Sequence, residues 1–147
     1  MSLVLLTKWT TLLGTSLDNE SNDISIGSDG SIYITGTTRG GLDGQTNSGL
    51  DDAFISKFNN DGEIYWTRLL GGSSYDYGNA LTISSDGSIY IAGYTEGDLD
   101  GLTFNGGTAD VFISKYDQNG TKKWTSLFGT SDTDRGYGVI TGSEGSI

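Results

Sequence analysis

The sequence contains no cysteine, no histidine and no proline, and the first two absences each remove a class of chemistry. Without Cys and His there is no disulfide, no thiol nucleophile, no Ser-His-Asp triad, and no nitrogen or sulfur ligand for zinc, haem or an iron–sulfur cluster. Carboxylate, hydroxyl, Lys, Arg and Tyr groups are all that is left for a reactive role. Positive charge is also scarce, since 8 basic residues against 19 acidic ones leave a net charge of -11. So acidic a chain repels phosphate backbones and anionic lipid, and no nucleic-acid partner is expected. The apolar run nearest the start, Leu3-Val4-Leu5-Leu6, is far short of the roughly 18 residues that mark a spanning helix. It also lacks the flanks of a signal peptide, so no membrane insertion is expected. The lack of Cys fits a reducing cytosol and equally an exported protein that dispenses with disulfides, which leaves the compartment open.

Glutamate is the rarer acid: 15 of the acidic residues are Asp, and 24 of the 147 residues are Gly. The composition is therefore rich in turn formers and poor in helix formers, which points to an all-β chain. The strongest pattern is a long internal repeat, of the kind that overrules local readings. Trp9, Trp66 and Trp124 recur at intervals of 57 and 58 residues. In the same register Ser28-Asp29-Gly30-Ser31-Ile32-Tyr33-Ile34 returns unchanged as Ser85-Asp86-Gly87-Ser88-Ile89-Tyr90-Ile91, and Phe54-Ile55-Ser56-Lys57 returns as Phe112-Ile113-Ser114-Lys115. The one extra residue of the second copy falls between Gly106 and Asp110, where a loop absorbs it.

Each unit predicts four short strands, rich in β-branched and aromatic residues and bounded by Gly, Asp, Asn or Ser. In the second copy they are expected at Ala80–Ile83, Ser88–Ala92, Asp110–Tyr116 and Lys122–Phe128. The Asp-Gly and Asn-Gly pairs at Asp86-Gly87 and Asn119-Gly120 predict tight antiparallel hairpins, because Gly tolerates the positive φ such turns need. Longer connections precede the first strand and separate the second from the third. In an antiparallel meander all the long loops then share one end. Ile32-Tyr33-Ile34 and Phe54-Ile55 are apolar without alternation, so both faces of the sheet are expected to be covered. A four-stranded sheet repeated at this period and buried on both faces is a β-propeller blade. A parallel β-helix would repeat at roughly 20 to 30 residues without tight hairpins.

The expected division is residues 1–7 as an expression start or leader, 8–14 as the outer strand of a preceding blade, 15–71 and 72–129 as complete blades, and 130–147 as a partial blade. About two and a half blades result. A fourth-type strand, Lys8 to Leu13, and a first-type strand near Tyr137 to Thr141 stand outside the complete units. Their exposed faces and edges predict that the chain is a segment of a larger propeller and that alone it self-associates, the Trp9 strand of one copy completing a partial blade of another.

The run Leu70-Gly71-Gly72, Asp76, Gly78-Asn79-Ala80, Ser85-Asp86-Gly87, Ile89-Tyr90-Ile91, Gly93-Tyr94-Thr95, Asp110, Phe112-Ile113-Ser114-Lys115 and Trp124 resembles the repeat of the bacterial seven-bladed β-propeller (SBBP-type) proteins. The first copy departs from it where Leu17-Asp18-Asn19-Glu20-Ser21-Asn22 replaces the Gly-Asn-Ala pattern. The resemblance implies a propeller module of large, often exported or surface-associated bacterial proteins, hence an extracellular or cell-surface setting. It carries over neither catalytic residues nor a cofactor.

Two groups of residues are candidate sites. Calcium takes several oxygen ligands on a turn, and the loops between strands two and three offer Asp43, Asn47 and Asp52 in one copy and Asp98, Asp100 and Asp110 in the other. Asx-turn chemistry accounts for the same residues without a metal. The connections before strand one carry Tyr75, Asp76 and Tyr77, then Asp132, Asp134 and Arg135; a concave surface of Tyr, Asp and Asn suits a glycan or a peptide, and an ordinary polar rim looks the same. Carboxylate pairs such as Asp51-Asp52 and Asp98-Asp100 belong to repeated turns, so a single active centre is not expected. The Trp residues read as core or inter-blade groups, and Lys57 and Lys115 as side chains that reach solvent or pair with Asp. The expected function is a non-catalytic interaction or scaffolding module, with a calcium- or carbohydrate-binding adhesin domain as the rival.

Overall fold

The computed structural model describes residues 9–143 and 145–147. Its strands are β1 (Asn19–Ile26), β2 (Ile32–Thr38), β3 (Asp52–Phe58), β4 (Ile64–Leu70), β5 (Asp76–Ile83), β6 (Ile89–Thr95), β7 (Asp110–Tyr116) and β8 (Lys122–Phe128). They form two four-stranded sheets in the orders β1-β2-β3-β4 and β5-β6-β7-β8, every pair antiparallel. Each sheet is one blade, built as the repeat implies. Gly30, Gly62, Gly87 and Gly120 close the hairpins at φ values of 80°, 82°, 79° and 77°, conformations that a residue with a Cβ adopts only with strain. No helix occurs among the described residues, and so none long and apolar enough to cross a membrane.

The first strand of each blade is longer than expected. In place of Ala80–Ile83, β5 starts at Asp76, and β6 runs on to Thr95 to pair with it. The reason is a β-bulge: the register shifts between Gly78 and Ala80, so Asn79 is left out of the ladder and pairing resumes beyond it. The same shift between Ser21 and Asp23 sets Asn22 aside in β1. Asp76, Tyr77 and Asn19 to Asn22 are therefore strand residues rather than loop residues. Glycine is required opposite the bulge, where a Cβ on Gly93 would stand 1.7 Å from the Tyr77 carbonyl oxygen.

The two blades stack face on face. Tyr33, Ala53, Ile55 and Leu70 on one face of blade 1 meet Leu81, Ile89, Ile91, Leu99, Phe112 and Tyr116 on the facing side of blade 2, all buried. Non-alternating runs such as Phe54-Ile55 fit this arrangement, because both faces of β3 are covered. Trp66 ties the outer edges together. Its indole N–H donates to the Gln118 carbonyl at 3.2 Å, and its ring lies against Gly120 in the turn of the next blade. Trp9 repeats the contact one blade earlier, donating to the Asn60 carbonyl at 2.7 Å beside Gly62.

Residues 9–13 lie on the outer face of blade 1 but join no ladder. The expected strand from Lys8 to Leu13 is thus absent over 9–13, while Lys8 and the proposed leader 1–7 fall outside the described residues. The strand expected near Tyr137 to Thr141 is also absent. An extended segment becomes a strand only when a neighbour pairs with its N–H and C=O groups, and among the described residues neither segment has such a neighbour.

Candidate functional site

The candidate site lies at the long-loop end, where one blade meets the next along the inner strands. The bulge creates this seam by turning an asparagine sideways: Asn22 Nδ2 donates to the Gly78 carbonyl at 3.0 Å, and Asn79 Nδ2 to the Gly136 carbonyl at 2.7 Å. The backbone adds a second repeated tie, from Asp76 N–H to the Asp51 carbonyl and from Asp134 N–H to the Ala109 carbonyl, both at 2.7 Å. Residues 130–136 therefore follow the path of β5 along blade 2 without forming a ladder. The chain has two seams of one design, the first between blade 1 and blade 2 and the second between blade 2 and residues 130–136.

At the second seam aromatic rings fill the space. Tyr77 and Tyr94 are cross-strand partners stacked at 4.6 Å between centroids, Tyr75 lies 6.2 Å from Tyr77, and the Arg135 guanidinium sits 4.9 Å above the Tyr94 ring. Burial and nearby carboxylates push the Tyr77 hydroxyl up to about 12, so the ring stays neutral at any ordinary pH. At the first seam the corresponding space is open, a cavity of about 520 Å³ lined by residues that include Glu20, Thr37, Arg39, Asp51 and Tyr77. Arg39 is already engaged there, at 2.8 Å from Asp51 and 3.1 Å from Asp18.

The residues singled out in the sequence are distributed unevenly over this geometry. Tyr75, Tyr77 and Arg135 come together, joined by Tyr94. Asp76 is fully buried beneath them, with Oδ2 accepting the Gly72 N–H at 2.8 Å and Oδ1 without a partner. That burial pushes its carboxyl up to about 6. Asp134 closes a turn by accepting from the Thr130 N–H at 2.8 Å, and Asp132 is an exposed residue of that turn. Glu20, Thr37, Arg39, Asp51 and Tyr94 were missed as site residues. The signal for two of them, Thr37 and Tyr94, was in the repeat, which aligns Gly36-Thr37-Thr38 with Gly93-Tyr94-Thr95.

The six candidate calcium ligands are divided between two loops. Asp43, Asn47 and Asp52 belong to the loop of blade 1, and Asp98, Asp100 and Asp110 to that of blade 2. Asp52 accepts the Ser48 N–H at 2.8 Å, Asp110 the Asn105 N–H at 2.7 Å and Asp98 the Phe104 N–H at 2.8 Å. Asn47 accepts the Gly49 N–H at 3.0 Å, Asp43 and Asp100 take positive φ at the loop tips, and Asp100 pairs with Lys122. Among the described residues no group of three His, Cys, Asp or Glu side chains is arranged to hold a metal ion.

Comparison with known proteins agrees with the repeat and the blade geometry. Residues 66–100, from the Trp66 strand through the bulge and the hairpin of blade 2, match the β-propeller repeat called SBBP. The chain carries an SBBP-type β-propeller repeat. Along 132 residues it is 31% identical to the regulatory protein FlaEY of Caulobacter vibrioides, a match covering 81% of this chain and 14% of that protein. This SBBP chain thus spans about a seventh of the length of the curated relative it matches.

Proposed function

We propose that this β-propeller repeat domain is a non-catalytic interaction and scaffolding module that docks further blades of its own kind on its two outer faces. The observation that carries the reading is the complementarity produced by the repeat. Inside the chain, the face bearing Tyr33 and Ile55 receives the face bearing Ile89, Ile91 and Phe112. The outer face of blade 2 bears Tyr90 and Ile113, the repeat counterparts of Tyr33 and Ile55. The outer face of blade 1 bears Ile32, Ile34 and Phe54, the counterparts of Ile89, Ile91 and Phe112, around an apolar cavity of about 460 Å³. Each outer face therefore has the chemistry that the other one binds. Leu12, Ile24, Ile26, Phe128 and Ile140 are exposed around them, and exposed apolar surface of this kind drives association.

A non-catalytic role is supported by the acidic side chains, which close turns at matching places in both blades instead of gathering at one centre. For the isolated chain the docked blade comes from a second copy, and head-to-tail contacts form a closed ring when the rotation between copies closes and a filament when it does not. Light scattering across a concentration series tests the reading. A discrete oligomer, lost on Ile34→Lys, is expected; a well-folded monomer throughout the micromolar range would overturn it.

A further inference from the structure

The two seams are built alike, yet one is filled and the other open, and among the positions that differ the one that leaves a ring-sized gap is Thr37, the counterpart of Tyr94. Tyr94 stands across the ladder from Tyr77 in blade 2, and Thr37 stands across from Glu20 in blade 1. At the second seam the Tyr94 ring is held between Tyr77 and the Arg135 guanidinium. At the first seam Thr37 leaves the place of that ring empty, with Glu20 and Tyr77 among the residues lining the space. Thr37 is 6% exposed, and its hydroxyl is buried with no hydrogen-bond partner. The site lies at the seam between the two blades, on neither of the outer faces discussed above.

The chemistry of the walls indicates what fits. The missing occupant is flat, because it takes the place of an aromatic ring. It is cationic, because Asp18, Glu20 and Asp51 line the cavity against Arg39 alone, and Arg39 is already paired with two of the three carboxylates. Glu20 is exposed and forms no ion pair among the described residues. A guanidinium meets both conditions: its plane stacks on a tyrosine face and its N–H fork matches a carboxylate, whereas an ammonium is a compact, strongly hydrated point charge. The second seam shows the guanidinium–tyrosine contact within the molecule itself, between Arg135 and Tyr94.

We propose that the first seam binds the guanidinium of an arginine side chain on a partner polypeptide, stacked against Tyr77 and paired with Glu20. The experiment titrates acetyl-Gly-Arg-Gly-amide into the isotopically labelled chain and follows backbone amide shifts, with the citrulline peptide and cellobiose as parallel probes. Saturable shifts at Glu20, Thr37 and Tyr77 are expected for the arginine peptide. Affinity is expected to fall by at least about tenfold for the uncharged citrulline peptide, for Glu20→Gln, and for Thr37→Tyr, which installs the ring that the other blade carries. Glu20 is exposed, so Glu20→Gln keeps the test valid should Thr37→Tyr fold poorly. Equal binding of the citrulline and arginine peptides, unchanged binding by both variants, or saturation by cellobiose but not by the arginine peptide would overturn the proposal.

Discussion

Blade 1 and blade 2 share a strand order, a bulge and a Trp-to-turn contact, and they part company where their inner strands meet the long loops. In blade 2 that end is aromatic and closed, with Tyr75, Tyr77 and Tyr94 stacked on one another. In blade 1 the equivalent positions are Asp18, Glu20 and Thr37, and the end is polar and open. The lesson is a separation of duties within a single repeat. Positions that face the neighbouring blade's hydrophobic surface are held nearly constant between copies, because a change of even one methylene is felt in a close-packed interior. Positions at the rim of the seam vary, because there water can replace a lost contact.

The largest expected effect tests the shared frame. Gly120 combines a φ of 77° with the Trp66 ring at about 2.8 Å from where a Cβ would sit, whereas Gly101 has a φ of 78° and open space around it. Gly120→Val is expected to destabilise by more than about 2 kcal/mol and Gly101→Val by about 1 kcal/mol, since the second carries only the backbone strain. Urea denaturation checks the order. Equal losses would mean that the Trp contact does not hold the blades together.

Next comes a swap across the comparison. Asp76 of blade 2 corresponds to Asn19 of blade 1, whose Oδ1 accepts the Thr38 hydroxyl at 2.8 Å. A carboxyl whose folded pKa of about 6 exceeds its ordinary 3.8 binds more protons folded than unfolded between those values. Its contribution to stability is therefore greatest below about pH 4, declines as pH rises through about 6, and remains unfavourable above that. Asp76→Asn, the residue already used by blade 1, is expected to raise stability at pH 7 relative to the parent and to leave the two closer at pH 4. Thermal melts of both proteins across that range measure the difference; a pH-independent difference would show that Asp76 is not buried as a charge.

A smaller effect separates the seams. Asn22 ties two complete sheets together, while Asn79 reaches Gly136 in a segment without a ladder. Asn22→Ala is expected to cost about 1 kcal/mol, with Asn79→Ala costing less. Hydrogen exchange at the Asp76 and Asp134 amides, which donate across the same two seams, reads the loosening locally. The smallest effect concerns the lysines, each 5.2 Å from the centroid of its Tyr ring, Lys57 over Tyr33 and Lys115 over Tyr90. Of these two, Lys57 also pairs with Asp29 at 3.4 Å and reaches a second ring, Tyr65, at 5.8 Å, so Lys57→Met is expected to lower the melting temperature slightly more than Lys115→Met does. The reverse order would show that neither the ion pair nor the second ring adds to stability.

The amino-acid sequence by itself determined the blade: its period, its four strands and its Gly-bearing turns. These depend on signals that act over a few residues, namely apolar runs, β-branched side chains and the positive φ of Asp-Gly and Asn-Gly. The tertiary structure alone decided the seam. Asn22 and Gly78 meet across 56 residues of chain, and no local pattern announces that a bulge will turn one asparagine toward the next blade. The bulge also drew Asp76 and Tyr77 out of a supposed loop into β5, burying the first and stacking the second. Even Thr37 and Tyr94, aligned in plain view by the repeat, became an open site and a filled one only when the neighbouring strand placed Tyr77 beside the first and Arg135 over the second. A residue's chemistry is local, but whether it faces solvent, a ring or an unfilled space is set by the chain that folds against it.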